Sequence, residues 1–214
     1  MVTIIGLCGS LRAGSFNRML LQAAVEMAPS GTAIEPEPIG DIPLYDGDIE
    51  DRQGVPPSVQ RLKDRIAQAD GVLLVTPEYN NSIPGVLKNT IDWLSRPADD
   101  IPRVFRGRPV AITGATIGSG GTALSQAAWL PVVRFLGMRP WFERAVLISE
   151  ATTVFDSEGQ VADSGTRKRL RAFVEGFAAF AAASSPRLSV PRYELMPGAP
   201  IGRAVTTIGL GDAR

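Results

Sequence analysis

The sequence predicts a doubly wound α/β domain, with a five-stranded parallel sheet in the order 2-1-3-4-5 and helices on both faces. Apolar runs typical of buried parallel strands recur along the chain, for example at residues 2–8 and 70–76. Amphipathic helical patterns separate these runs, as parallel crossovers require. Unusual loops rich in Gly, Pro and Asn follow the first, third and fourth runs. In this topology all three loops emerge at the carboxyl edge of the sheet, where ligands bind.

Strands and helices alternate from residue 1 to residue 183. The predicted strands span residues 2–8, 32–39, 70–76, 108–115 and 139–149, and the predicted helices span residues 17–28, 58–69, 86–95, 123–136 and 166–183. Pro131 is expected to kink or divide the fourth helix, because proline removes an N–H donor. Residues 40–57, 96–106 and 150–163 are expected to be irregular. Residues 184–214 contain four prolines and four glycines, which predicts either a flexible tail or an arm on this domain or another subunit.

The composition limits the chemistry that this chain can perform by itself. It has 214 residues, 22 basic and 22 acidic side chains, one cysteine and no histidine. Balanced charge gives no reason to expect nucleic acid or an anionic membrane as a partner. The absence of histidine excludes His-dependent triads and His-ligated metals, and the single Cys8 excludes an intramolecular disulfide. The chain must therefore borrow its reactivity, most simply from an organic cofactor.

Targeting signals are also missing from the sequence. No basic region precedes a long apolar segment at the N-terminus, and no apolar run reaches the length of a membrane span. We expect a cytoplasmic protein. Cys8 lies in the first apolar run, which favours a buried packing residue over a reactive thiol.

The loop after the first strand, GSLRAGSFN, has the composition of a phosphate site. Ser10, Ser15 and Asn17 offer side-chain donors, and Arg12 adds a guanidinium suited to phosphate oxygens. The following helix would direct its N-terminal N–H groups at the same anion. The loop lacks both the Gly-Lys-Ser/Thr of a Walker loop and the G-x-G-x-x-G fingerprint, so it suits the monophosphate of FMN better than a pyrophosphate. An ordinary strand-to-helix turn, capped by Ser15 or Asn17, is the alternative.

The other two loops suit a flat ring system. PEYNNSIPG is stiffened by Pro77 and Pro84, and Tyr79 supplies aromatic surface. Its backbone N–H groups near Asn80 can meet ring oxygens and nitrogens. TIGSGG has no bulky side chain after Ile117 and lets a ring or a substrate approach closely. Taken singly, each loop is equally compatible with a simple turn.

Together these segments resemble the NADPH-dependent FMN reductase family, which has a flavodoxin-like fold and includes quinone, chromate and azo-compound reductases. The resemblance runs from residue 1 to about residue 183, and PEYNNSIPGVLKNTIDWLSRP is its most specific part. It implies bound FMN, with NADPH or NADH as the donor and hydride transfer at flavin N5 in ping-pong order. It also implies a small-molecule acceptor such as a quinone, no protein catalytic residue, and a homodimer or homotetramer.

The resemblance assigns residues of all three loops to the cofactor. They are Ser10, Leu11, Arg12, Ser15, Phe16 and Asn17 near the phosphate, Pro77, Glu78, Tyr79 and Asn80 along the isoalloxazine ring, and Thr116, Gly118 and Gly120 at its other edge. Candidates for the 2′-phosphate of NADPH are Arg96, Arg103, Arg106 and Arg108. The alternatives are a flavodoxin-like electron carrier, against which the balanced charge argues, and a flavin-dependent redox sensor.

One stretch departs from the family pattern. Quinone-reducing members have a polar, Arg-containing helix after the Gly-rich loop, which contributes to a tetramer contact. Here the corresponding residues read TALSQAAWLPVVRFLG. The acceptor and the choice between dimer and tetramer therefore stay open.

Overall fold

A parallel sheet with helices on both faces forms the centre of the protein. A computed structural model describes residues 1–184, so the predicted arm at 184–214 lies outside the described residues except for Ser184. The strands run in the order β2-β1-β3-β4-β5, and a sixth strand pairs with β4. They are β1 (Val2–Cys8), β2 (Thr32–Glu37), β3 (Gly71–Val75), β4 (Pro109–Ala115), β5 (Arg139–Pro140) and β6 (Leu147–Ile148). The predicted fold class and the strand order are confirmed.

The helices fall into two layers, one on each face of the sheet. Their bounds are α1 (Phe16–Glu26), α2 (Gly47–Gln53), α3 (Pro57–Gln68), α4 (Gly85–Leu94), α5 (Ile101–Val104), α6 (Ala123–Phe135), α7 (Ala151–Val154) and α8 (Ser164–Ala183). Helices α1 and α8 share one apolar core, while α3, α4 and α6 share the other. All five residues of β3 are buried, because this strand is covered from both sides.

The predicted fifth strand, residues 139–149, is wrong as a continuous strand. β5 pairs only with the first two residues of β4, and β6 pairs only with the last two. Between them the chain turns away at Trp141, which is buried against α8. Its ring meets Phe173 edge-on, with 5.2 Å between the ring centroids. Packing of this large side chain into the core takes the backbone out of the sheet until Leu147.

Two other sequence expectations need correction. Helix α6 runs without a break through Pro131, so the alternative that this proline divides the helix is wrong, while the alternative that it kinks the helix stays a prediction. Pro131 and Ala127 are both exposed, and water can therefore serve the Ala127 carbonyl, which lacks an N–H partner at residue 131. Residues 40–57 contain α2, and residues 96–106 contain a 3-10 turn followed by α5. Helix α2 has no buried residue, so it lacks the apolar period from which a helix is predicted.

Candidate functional site

The carboxyl ends of β1, β3 and β4 and the loops that follow them surround one cavity of about 660 Å³. The residues that line it are Ser10, Arg12, Gly14, Ser15, Phe16, Asn17, Met19, Pro77, Glu78, Tyr79, Ala115, Thr116, Ile117 and Thr152. This is the switch point of the sheet, since β1 pairs with both β2 and β3. The structure therefore brings together residues from all three loops that the sequence singled out.

Four of the predicted site residues do not line this cavity: Leu11, Asn80, Gly118 and Gly120. The Leu11 side chain is 52% exposed. Asn80 has a φ of 51° in a turn whose ends, Tyr79 and Ser82, bond to each other. The carbonyls of the two glycines accept bonds from the N–H groups of residues 150 and 123, so both glycines shape the loop around the cavity wall.

The backbone of the first loop is rich in unused donors. Within residues 1–184, the N–H groups from Ser10 to Phe16 donate to no acceptor, although β1 ends just before them and α1 begins at Phe16. Arg12 is exposed, and among the described residues it has no carboxylate partner. Its guanidinium carbon lies 6.0 Å from the centre of the Phe16 ring. Free N–H groups, a guanidinium and a helix N-terminus are groups that commonly bind anions in proteins.

Ser15 and Asn17 hold the loop in this shape. Ser15 is the N-cap of α1, and its hydroxyl accepts from the N–H groups of Asn17 and Arg18. Asn17 is 4% exposed. Its Nδ2 donates to the Ala115 carbonyl at 2.8 Å, and its Oδ1 accepts from the Ala115 N–H at 2.9 Å. The Asn17 amide thus fastens the first loop to the end of β4.

Glu78 links the second loop to the third. Its Oε2 accepts from the N–H groups of Leu124 and Ser125, at 2.9 and 3.0 Å. These groups belong to the first turn of α6, which has no cap from the preceding Thr122. A carboxylate at a helix N-terminus satisfies orphan donors and interacts favourably with the helix dipole. Glu78 therefore fixes the start of α6 against the loop that carries Tyr79.

A buried polar cluster supports the floor between these loops. Thr76, at the end of β3, accepts from Trp129 Nε1 at 3.1 Å, and its hydroxyl lies 2.8 Å from that of Ser125. Next to it, a Cβ at Gly114 would clash with the Thr76 carbonyl and with the Thr122 hydroxyl. Glycine at this position lets the ends of β3 and β4 approach closely enough to form one wall.

Sequence reasoning missed the contribution of the segment around α7. Thr152 lines the cavity, and the N–H of Ala151 donates to the Thr116 carbonyl at 3.0 Å. Phe155 stacks on Phe16, with 5.8 Å between the ring centroids. Residues 150–163 had no apolar period of their own, so only the fold shows that this segment closes the site.

The arginines considered for a 2′-phosphate lie elsewhere. Arg108 is wrong for that role because it is buried at the start of β4, and it donates to the carbonyls of Val104 and Ala67 among others. Arg96 is paired with Glu50, and Arg103 is paired with Asp64 and Asp100. Residues 106 and 108 precede β4 and so lie at the amino edge of the sheet, opposite the cavity.

Cys8 sits beneath the first loop, where its thiol reaches the Ser10 carbonyl at 3.6 Å. Burial is the main cause that raises the pKa of this thiol above its ordinary value. A thiol that stays protonated at neutral pH is a poor nucleophile, which agrees with the packing role expected for Cys8. No group of residues suited to a metal ion occurs in the described part of the chain.

Comparison with known proteins identifies the family. Residues 2–153 match the family described as NADPH-dependent FMN reductase. The chain belongs to this family. It is therefore a flavodoxin-like oxidoreductase with FMN as its cofactor and NAD(P)H as the electron donor. The match covers more than half of the 214 residues and ends next to Thr152, so it spans the whole cavity.

Individual relatives agree with this assignment. An NAD(P)H-dependent FMN reductase of Pseudomonas aeruginosa is 42% identical over 170 residues, which are 79% of this chain and 90% of the relative. A quinone reductase of Escherichia coli K12 is 40% identical over 182 residues, covering 83% and 94% of the two chains. The solved structure of FerB, an NAD(P)H:acceptor oxidoreductase from Paracoccus denitrificans, superposes with a TM-score of 0.78 at 34% identity. That superposition covers 86% of this chain and 100% of FerB. No helix within residues 1–184 combines the length and the apolar character needed to cross a membrane.

Proposed function

We propose that this enzyme binds FMN in the cavity at the carboxyl edge of the sheet and reduces quinones or similar small acceptors at the expense of NAD(P)H. The observation that carries the proposal is the row of unused N–H donors from Ser10 to Phe16 beside Arg12. A phosphate monoester offers several oxygens that can accept from such donors at once, and its negative charge strengthens each of these bonds. The cavity volume of about 660 Å³ also falls within the range of cofactor pockets.

The residues predicted for FMN divide into two groups in this proposal. Ser10, Arg12 and the backbone around them contact the phosphate, while Ser15 and Asn17 position that backbone through their own hydrogen bonds. Pro77 and the backbone beside Tyr79 support one edge of the ring, and Thr116 lies at the other edge. Glu78 acts through α6, since the hydrogen bonds described for its carboxylate run to that helix.

Bound FMN supplies the hydride chemistry, accepting from NAD(P)H and delivering to the acceptor in ping-pong order. The chain's own part is to hold the ring, exclude water from one side and leave the other side accessible. Tyr79 and Ile117 both line the cavity and are both exposed. Two apolar side chains at the rim provide a surface on which a planar nicotinamide or quinone can lie. No side chain needs to transfer a proton, which agrees with the absence of histidine.

Two further properties belong to the proposal. The quinone reductase of Escherichia coli and the quinone reductase of Pseudomonas putida, 40% identical over 173 residues, support a quinone as the acceptor. We also propose a cytoplasmic homodimer or homotetramer, without nucleic acid or membrane as a partner. Balanced charge, with 22 residues of each sign, supports the last point.

The test is the visible spectrum of the FMN-reconstituted protein before and after NADPH is added without oxygen. We expect flavin bands that bleach promptly and return when a quinone is added. Ping-pong order predicts parallel lines in double-reciprocal plots of the initial rate against NADPH concentration, measured at several fixed quinone concentrations. Bands that persist with NADPH would exclude the reductase activity and leave a carrier or a sensor. A colourless protein after reconstitution would reject the assignment of the cavity to FMN.

A further inference from the structure

Two charged side chains line the cofactor cavity, and they belong to different loops. Arg12 lies in the loop after β1, and Glu78 lies in the loop after β3. Every other residue that lines the cavity is uncharged. In the proposed function Arg12 contacts the phosphate, while the loop that carries Glu78 supports the ring. The negative charge of the cavity wall therefore lies at its ring end.

The charge of Glu78 is only partly compensated. Within residues 1–184 no lysine or arginine forms an ion pair with it. Its Oε2 accepts instead from the N–H groups of Leu124 and Ser125 at the start of α6. A helix N-terminus carries a partial positive charge of about half a unit. A net negative charge therefore remains beside the cavity, at a position that two hydrogen bonds fix.

The backbone at Thr122 leaves the start of α6 free to receive this carboxylate. Thr122 immediately precedes α6 and has a φ of 64°, in the left-handed region that β-branched residues rarely adopt. It is fully buried, and its hydroxyl accepts from Gln126 Nε2 at 3.1 Å rather than from an N–H of the first turn. Backbone strain of this kind persists where the surrounding structure enforces it, often beside functional sites. Glu78 thus supplies the cap that Thr122 does not.

Hydride transfer changes the charge of the ring that this wall faces. A hydride carries two electrons and one proton, so a neutral ring that accepts it from NAD(P)H gains one negative charge. Onward transfer of the hydride to a quinone, with one proton from water, returns the ring to neutrality and releases a hydroquinone. A fixed negative charge at the wall raises the free energy of the charged, reduced ring relative to the neutral, oxidised ring. It therefore opposes the first transfer and favours the second.

We propose that Glu78 lowers the reduction potential of bound FMN through its charge, and that its hydrogen bonds to α6 hold that charge at the ring end of the cavity. Glu78 transfers no proton and needs no contact with the acceptor. Its effect is to speed delivery of the hydride to the acceptor, so that reduced flavin does not accumulate. This inference rests on the proposed function, because it takes FMN to be bound with its ring beside the loop after β3.

The variant Glu78→Gln separates the charge from the hydrogen bonds, since the amide oxygen can still accept from both N–H groups of α6. The full-length, FMN-reconstituted protein is equilibrated without oxygen against a reference dye of known potential. At a fixed solution potential, the ratio of reduced to oxidised flavin should rise on the order of tenfold in this variant, the size expected for a unit charge roughly 10 Å away at an effective dielectric constant of about 20. A tenfold change in this ratio is about 30 mV for a two-electron couple.

Two comparisons show that the charge itself is responsible. Glu150→Gln is the matched control, because Glu150 is also an acidic residue of a loop beside the cavity but is exposed and does not line it. Solvent screens such a charge, so this variant should move the ratio much less. In stopped-flow experiments Glu78→Gln should slow reoxidation by a quinone and leave reduction by NADPH at least as fast. Glu78→Ala, which also removes the bonds to α6, should lower the urea midpoint of the FMN-free protein more than Glu78→Gln does.

Contrary results separate this inference from the proposed function. An unchanged flavin ratio in Glu78→Gln overturns the inference, and so does an equal rise in Glu150→Gln, because the effect would then come from the net charge of the protein. Slowing of both half-reactions at an unchanged potential would mean that Glu78 has only a structural role. The dye titration needs no NADPH, so a flavin that NADPH does not bleach contradicts the reductase activity alone. A protein that holds no flavin contradicts both.

Discussion

Replacement of Asn17 tests whether hydrogen bonds within the protein hold the first loop in place, or whether only the bound cofactor does. Replacement by alanine removes both bonds to Ala115 and leaves that buried N–H and carbonyl without partners. Each of the two orphaned groups costs about 1–3 kcal/mol, so we expect the free energy of unfolding to fall by about 2–6 kcal/mol. With a urea m-value near 2–3 kcal/mol/M, the urea midpoint of unfolding should fall by about 1–3 M.

The measurement is urea unfolding of the FMN-free protein, followed by FMN titration of the folded variant. Asn89 supplies a matched control, because its amide makes the same pair of bonds, to the N–H of Tyr45 and the carbonyl of Pro43, at an exposed site. Asn89→Ala should cost less than about 1 kcal/mol, since water can replace both partners. A midpoint unchanged in Asn17→Ala, with FMN binding alone weakened, would refute the positioning role and make Asn17 a direct ligand.

Three further predictions concern the cofactor, the sheet and the response to acid. Arg12→Ala should raise the Kd for FMN about 10- to 150-fold in a fluorescence titration, since a charge-assisted bond contributes about 1.5–3 kcal/mol; unchanged affinity would remove Arg12 from the site. Gly114→Ala should destabilise the fold by about 3 kcal/mol or more in urea, because its Cβ has no space, whereas Gly14→Ala, with no heavy atom within 4 Å, should be neutral. Arg103 and Lys63 hold the pKa of Asp100 at about 2, below its usual value. The resulting stability is present above about pH 4 and is lost as the pH falls toward 2; Asp100→Asn should flatten that limb of the stability curve, and an unaltered acid limb would contradict it.

The strands were predicted correctly where a continuous apolar run in the sequence corresponds to a buried strand of the sheet. β1 was predicted with its observed bounds, and β3 within one residue at each end. The fifth strand was not predicted correctly, because a tertiary contact accompanies its interruption. Trp141 packs on α8. The sequence of residues 139–149 does not show that Trp141 will contact a helix about 30 residues further along the chain. Helix α2 was missed for the opposite reason, since all of its residues stay out of the core.

The sequence predicted that three loops meet at the candidate site. It did not predict which side chains in these loops hold the walls in place through their own hydrogen bonds. The sequence shows that Asn17 and Glu78 are polar, and the family resemblance places both among the residues expected near the cofactor. Their partners, Ala115 and the first turn of α6, lie 98 and about 46 residues away in the chain. Only the folded geometry reveals that these two side chains hold the walls in place. Thr152 lay in a stretch without any distinguishing pattern, so its place in the cavity came from the fold alone.

The cavity takes its walls from Ser10 at one extreme and Thr152 at the other, which has a consequence during translation. When the loops after β1 and β3 have been synthesised, Ala115 has not. The Asn17 amide therefore still lacks the backbone groups to which it bonds in the folded protein. The last wall emerges only when α7 has left the exit tunnel, and α8 must follow before the core beneath it is covered. If FMN binds in this cavity as proposed, its capture waits until all residues from Ser10 to Thr152 have been synthesised.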